Sequence, residues 1–473
     1  MRTSLLVITV MCAIRPPLVA QPLVEATAGH WRSDRASMAA GGTLAPMAIL
    51  GEVRPDAPTT LPLSPCGEIA FEAGSTVPFA YVQGNRYFVD LHIDRREARL
   101  AAPISGEVDE AHWWLGFSLT STDARVYHRD RWLDDRAHGH GTGSILALAW
   151  RDGGWTLGAA RRDADLSGLA TGDNLADILG VRRGHERLEF GWDGRADSLG
   201  AQYETARWLA GVQMSERDDR ARLATEVSGT PFTGTFATDT RTIEAWVAHG
   251  PTRERQFAYF VRSDVDPAPG AIASGHAIRG RAALSAESTV FGVGRRRTGA
   301  RATEHFELTW IMHSLDLSGR VSDGALGSLD GQITVEASAD ARTIGARWGR
   351  ALTRGRWRYT LAASVMHTDL DFHARAVDSP GPFLAPNWRW EERLKGGGGL
   401  VGSITLGVGR EIDGWELGAS YSLFGGDTWG EFEDLTEPAW MTTRRRIPPA
   451  PDTGPSPTLD LGWTFSLEIG REL

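Results

Sequence analysis

Residues 458–473 read TLDLGWTFSLEIGREL. Leu459, Leu461, Trp463, Phe465, Leu467 and Ile469 take every second place, and Asp460, Gly462, Thr464, Ser466, Glu468 and Gly470 stand between them. A strand sends successive side chains to opposite faces, so one face here is continuously apolar and the other polar, acidic or bare. The alternation outlasts an ordinary strand of roughly five or six residues. It suits a strand of about ten residues tilted across a bilayer. That reading puts Trp463 and Phe465 toward lipid and Asp460 and Glu468 toward an interior.

The same period recurs upstream. Phe306, Leu308, Trp310 and Met312 flank Glu307 and Thr309. Ile333, Val335 and Ala337 interleave with Gln332, Thr334 and Glu336, and Ile344, Ala346 and Trp348 with Thr343, Gly345 and Arg347. Trp357, Tyr359, Leu361 and Ala363 interleave with Arg356, Arg358 and Thr360. Trp415, Leu417, Ala419 and Tyr421 alternate with Glu416, Gly418 and Ser420. Aromatic residues near strand ends match the interfacial girdles of membrane barrels. Toward the C-terminus short links (350–355, 410–414) alternate with long ones (367–397, 425–457). Short periplasmic turns and long external loops are the habit of outer-membrane barrels.

These patterns predict an all-β fold, a transmembrane antiparallel up-and-down β-barrel of about 16 strands, within roughly 12 to 18. Residues 1–20 read as a signal peptide, 21–110 as an N-terminal periplasmic segment with a β-hairpin at 77–94, and 111–473 as the barrel. Arg2, the apolar Leu5-to-Ile14 run and Leu18-Val19-Ala20 carry the export signal, so the expected location is the bacterial outer membrane. Outer-membrane barrels usually close on an aromatic residue, whereas this chain ends in Leu473.

Composition narrows the function. The 473 residues carry a formal charge of -10, which offers no basic face to nucleic acid. No apolar run beyond the first residues is long enough for a helical span. Of the 2 cysteines, Cys12 lies in the signal, and Cys66 alone cannot form an internal disulfide. The expected activity is passage of small polar solutes through a mixed-charge lumen, lined by Glu307, Glu336, Arg347, Arg356, Arg358, Glu416, Asp460 and Glu468. The expected partners are outer-membrane lipid and lipopolysaccharide, and assembly into a homo-oligomer stays open. Arg295, Arg296 and Arg297 form a rim cluster, to be solvated or to meet lipopolysaccharide phosphates. A barrel that only adheres, without conductance, is a structural alternative.

No catalytic residue and no cofactor are assigned. His138-Gly-His140 is a weak metal candidate, with Asp134 or Asp135 nearby, and a Gly-rich loop with solvated histidines explains it as well. Residues 167–181 break the two-residue period and read as a short amphipathic helix. The hairpin at 77–94 resembles the opening hairpin of retroviral-type aspartic proteases, but Ala98 to Gly106 lacks the catalytic Asp-Thr-Gly. The order Leu133 to Gly143, Thr171 to Val181, Gly191-Trp192-Asp193 and Tyr203-Glu204 resembles outer-membrane lipid A 3'-O-deacylases. That resemblance implies a calcium-dependent lipid hydrolase. The family's helix histidine falls at Ala176, and its Asn-Asp pair at Ser121 to Asp123, so the catalytic positions are not kept.

Overall fold

A computed structural model describes residues 44–64, 66–77, 79–82, 87–104, 112–129, 133–174, 185–227, 230–267, 270–274, 278–323, 332–379, 388–434 and 458–473. After a helical turn α1 (Met47–Leu50) and a 3-10 helix (Pro58–Leu63) the described chain is strand. The segments are β1 (Glu68–Val77), β2 (Phe79–Val82), β3 (Tyr87–Pro103), β4 (Trp113–Arg129), β5 (Leu133–Asp152) and β6 (Trp155–Asn174). There follow β7 (His185–Glu204), β8 (Trp208–Val227), β9 (Thr230–His249), β10 (Glu254–Pro267), β11 (Gly270–Ser274) and β12 (Ile278–Thr298). The last are β13 (Ala302–Asp323), β14 (Gln332–Arg354), β15 (Trp357–Ser379), β16 (Trp388–Ile412), β17 (Trp415–Asp434) and β18 (Thr458–Glu472).

All 18 segments belong to one sheet. β1 and β2 both lie between β3 and β18, and β10 and β11 both lie between β9 and β12. Each pair is one wall strand in two pieces, so the wall has 16 strands. Neighbours in sequence pair antiparallel, and β18 returns to β1 in unbroken register from Glu68–Glu472 to Val77–Trp463. The sheet is closed. Closure leaves no row of unpaired backbone groups, the condition for standing in hydrocarbon.

The barrel starts at Glu68, well before the expected residue 111. The two strands of the 77–94 hairpin belong to its wall rather than to a separate periplasmic module, because β3 pairs with β4 along its length. The stretch expected to be helical is strand up to Asn174, held on both sides by β5 and β7. Its remaining residues, 175–181, and the proposed signal peptide lie outside the described residues. The long links shrink as well: β15 runs to Ser379 and β16 begins at Trp388. Ladder pairing continues past the point where the apolar face stops.

At one end the connections are short. Ile412-Asp413-Gly414-Trp415 turns with φ 51° and 79° at its central residues, the left-handed pair that a two-residue hairpin turn demands. From that end an apolar belt climbs the outer face. On β15 it runs from Trp357 through Tyr359, Leu361 and Val365, all exposed. Those nine residues at about 3.3 Å each, tilted by about 40°, rise roughly 20 Å along the axis, close to an outer-membrane apolar band. Trp155 and Tyr203 at 4.8 Å, and Trp208 and His249 at 4.3 Å, mark its lower edge on the short-turn side.

Above the belt the apolar residues change face. On β14 Ile344, Ala346 and Trp348 point out, but Val335, Ala337, Ala339 and Ala341 point in. On β13 Trp310 and Met312 point out, while Leu315 and Leu317 pack with that inner cluster. On β15 Val365 points out, while Leu370, Phe372 and Ala374 are buried inside. Charge takes the outer face at this height, as in Arg262 with Asp264 and Glu287. We expect Leu361→Arg to cost about 2–4 kcal/mol of stability in lipid vesicles, the price of a cation on a bilayer-facing strand. Glu336→Arg, on the same outer face above the belt, should cost less than about 0.5 kcal/mol. Denaturant titration of the two refolded variants checks the difference.

Candidate functional site

The candidate site is the lumen, and residues 44–64 occupy part of it. Its inner face is recognised by what it touches. Leu61 and Val53 pack with Ala101, Trp114, Ile145, Ala147, Ala149 and Ala160 from β3 to β6. Ala45, Ala48 and Ile49 pack with Leu209, Trp246, Ala248, Phe257 and Tyr259 from β8 to β10. The segment thus bridges the inner wall across more than half of the strands, near the short-turn end.

Three inner-facing glycines make room for it. An added Cβ at Gly158 would lie 2.8 Å from the Pro58 carbonyl carbon, one at Gly116 2.7 Å from Leu61, and one at Gly200 2.9 Å from Thr59. The first of these contacts is with backbone, so nothing can swing aside. Within the segment the Thr60 hydroxyl accepts from the Arg54 amide at 2.9 Å and donates to the Ala57 carbonyl at 2.7 Å, which closes the turn. Gln213 donates to the Asp56 carbonyl at 3.1 Å and Arg296 to the Ile49 carbonyl at 2.8 Å. The wall thereby satisfies backbone groups that the segment cannot pair by itself.

The strongest charge node sits where the barrel closes. Arg99 on β3 meets Glu468 on β18 at 2.8 Å, Glu72 on β1 at 3.4 Å, Glu68 at 3.6 Å and Glu52 of the inserted segment at 3.7 Å. One guanidinium therefore ties the first strand, the last strand and the insert. Beside it Glu97 receives Arg95 at 2.9 Å, the Ser118 hydroxyl at 2.8 Å and Arg54 at 3.6 Å. Farther round, Glu307 accepts from the Tyr259 hydroxyl at 2.5 Å and lies 3.0 Å from His305 Nε2 and 3.6 Å from Arg347. Arg347 also donates to the Thr309 hydroxyl at 2.7 Å.

The remaining arc carries hydroxyls. Thr343 pairs with Thr368, Ser364 with Ser403 and Thr405 with Ser422, each at 2.8 Å, and Thr76 with Thr464 at 3.2 Å. These cross-strand pairs make a polar inner strip from β14 round to β1.

The sequence-expected lining divides as follows. Glu307, Arg347, Arg358, Glu416 and Glu468 stand on the inner face, with Arg358 3.8 Å from Glu416. Arg356 is an exposed turn residue before β15. Glu336 is a correction. It shares the outer face of β14 with Ile344 and Trp348, because the apolar and polar faces have exchanged by that height. Asp460 lies in β18, in a part whose side chains are outside the described set. Arg99, Glu72, Glu97 and the whole insert escaped the sequence reading. A Pro- and Ala-rich stretch looked loosely packed, and the signal that remained was glycine at facing inner positions such as Gly158 and Gly200.

His138 and His140 lie in β5, not in a loop, and point outward; His140 Nδ1 is 2.9 Å from Asp123. Among the described residues no three His, Cys, Asp or Glu side chains are grouped to hold a metal ion. Ser121 to Asp123 are in β4, and Ala176 lies outside the described residues. Of the Arg295–Arg297 cluster, Arg296 points inward to the insert and Arg295 pairs with Glu254, at the short-turn end.

We expect Arg99→Met to lower stability by about 3–5 kcal/mol, because it removes the charge that several buried carboxylates share. Limited proteolysis should then cut near residues 50–57 in the variant and spare them in the parent. Gly158→Val should expose the same sites while leaving the wall closed, as read by heat-modifiable gel mobility.

No protein-family model and no curated protein matches this chain. Among solved structures it is similar to the toluene transporter TodX of Pseudomonas putida, with a TM-score of 0.41 and 12% identity over 92% of this chain and 97% of that one. It is also similar to the β domain of the Bordetella autotransporter BrkA, with a TM-score of 0.30 and 12% identity over 86% of this chain and 100% of that one. The ferric yersiniabactin receptor FyuA of Yersinia pestis gives a TM-score of 0.33 and 11% identity over 86% of this chain and 80% of that one.

Proposed function

We propose that the protein is an outer-membrane channel whose short-turn half is gated by its own residues 44–64. The observation that carries this reading is the insert itself, seated inside a closed 16-strand wall with an apolar belt outside. A wall of this strand number is wider than its own side chains fill. The insert supplies the filling on one side, and the hydroxyl strip with Arg358 and Glu416 borders the other. The short turns face the periplasm in this reading, so a solute enters from the opposite, longer end and leaves past the insert.

The gate is a segment in contact with the wall through a few polar anchors and two apolar clusters, and among the described residues no disulfide ties it to the wall. Shifting it requires breaking the Arg296 and Gln213 contacts to its backbone and the Arg99–Glu52 pair. Small polar solutes are accommodated by the strip of hydroxyls and paired charges at the level of the insert.

Planar-bilayer recording of the refolded protein tests the reading. The parent should show brief, infrequent openings, and Gly158→Val should show long-lived ohmic steps, because a wedged insert no longer closes the lumen. Electrically silent membranes from both proteins, correctly folded by gel mobility, would overturn it in favour of a structural barrel.

A further inference from the structure

We propose that the inner wall of β15 to β18 binds the head of small zwitterions, an ammonium beside a carboxylate as in an α-amino acid; this deepens the channel reading and rests on it. Register lays out the site. Arg358 of β15 faces Gly409 of β16, Gly409 faces Gly418 of β17, and Gly418 faces Glu468 of β18. All four positions are on the inner face. A cation and an anion therefore stand at the two ends of one row, three strand spacings or roughly 14 Å apart at the backbone. No side chain rises between them. Glycine weakens a strand interior and belongs where something approaches the backbone closely.

The next inner row is Thr360, Gly407, Ser420 and Ser466, in the same register. Together the two rows enclose a recess in the wall, lined by Arg358, Thr360, Ser420, Ser466 and Glu468 over the glycines. It measures about 20 Å³, room for a group the size of a water or an ammonium. A head group enters it, and the rest of a solute stays in the lumen.

The two ends differ in charge. Arg99 is shared by Glu468, Glu72, Glu68 and Glu52, so one guanidinium faces four carboxylates and negative charge is left over at the Glu468 end. Oε1 of Glu468 holds Arg99, whereas its buried Oε2 accepts no hydrogen bond among the described residues. At the other end Arg358 leans across Gly409 to 3.8 Å from Glu416, and both side chains are open to solvent, which makes this a loose pair. Arg296 lies within electrostatic reach of Arg358 and adds positive charge there. A solute with a single charge suits one end of the row and is repelled at the other. A molecule carrying both charges answers both, with its carboxylate on Arg358 and its ammonium toward Glu468 and Glu416.

Isothermal titration of the refolded full chain in detergent micelles with L-alanine tests the site whether or not the protein conducts. We expect saturable binding of L-alanine, and binding weaker by about tenfold or more for ethylammonium and for propionate, each of which carries one of the two charges. Arg358→Gln should weaken L-alanine by a similar factor. Gly418→Val, which leaves every charge in place and fills the floor of the recess, should do the same. Arg356→Gln, in the turn before β15, should leave binding unchanged. If Arg358→Gln fails the gel-mobility check for folding, Gly418→Val and the comparison of the three probes on the parent still decide. Ethylammonium or propionate binding as tightly as L-alanine would overturn the zwitterion site, as would L-alanine binding that ignores both variants, or none at all. With conductance intact, any of these results leaves the channel standing. Silent membranes from a protein that binds L-alanine through Arg358 would support the site and overturn the channel.

Discussion

The seam between β1 and β18 is the constraint on which the rest depends. Ten residues of each strand pair there without a slip, and their backbone hydrogen bonds remove the two edges that an open sheet would expose. In hydrocarbon an unpaired amide or carbonyl costs several kcal/mol, so an open wall is not an available state. Arg99 reinforces the seam from within through Glu72 and Glu468 and, through Glu52, makes the insert part of the same arrangement. Closure and occlusion therefore share a charged group. Loss of Arg99 acts on both, whereas loss of space at Gly158 acts on the insert alone.

Closure also gives the two faces different solvents, and those solvents change along the axis. In the belt the outer face meets lipid and takes Leu361 or Trp348, while the inner face takes Ser364 or Arg347. Above the belt the outer face meets water and takes Glu336 or Asp340. The inner face is released from balancing lipid and takes Ala337, Leu317 and Phe372. The switch falls within three or four residues on each strand, as from Ala341 in to Ile344 out on β14. That sharpness follows from the period of two: a single change of parity moves every later apolar side chain to the other face.

Much of this architecture was legible in the chain. Strand after strand announced itself by alternation, the strand number came out near its observed value, and Glu307, Arg347, Arg358, Glu416 and Glu468 do face inward. The errors share a cause. Taking apolar to mean lipid-facing along the whole chain put Glu336 on the wrong side. Taking the end of the apolar face as the end of a strand turned much of β15 and β16 into loop and part of β6 into helix. A strand outside the bilayer keeps its hydrogen bonds and loses only the reason to be apolar outside. The change of parity between Met312 and Leu315 on β13 was present in the sequence as the sign of that boundary.

What the sequence determined by itself is the barrel, begun from residues 458–473. Alternation over more than ten residues has few outcomes other than a two-faced wall, because the side-chain period of a strand is a property of the backbone. Trp463 and Phe465 lie outside and Glu468 inside, as the alternation requires. Only the tertiary structure decided that residues 44–64 lie inside the wall, that Arg99 joins both ends of the barrel, and that the inner face turns apolar beyond the belt. Those features are contacts between residues far apart in the chain, such as Arg99 with Glu468 and Gly158 with Pro58. They depend on how strands are staggered around a closed cylinder, which no local pattern encodes.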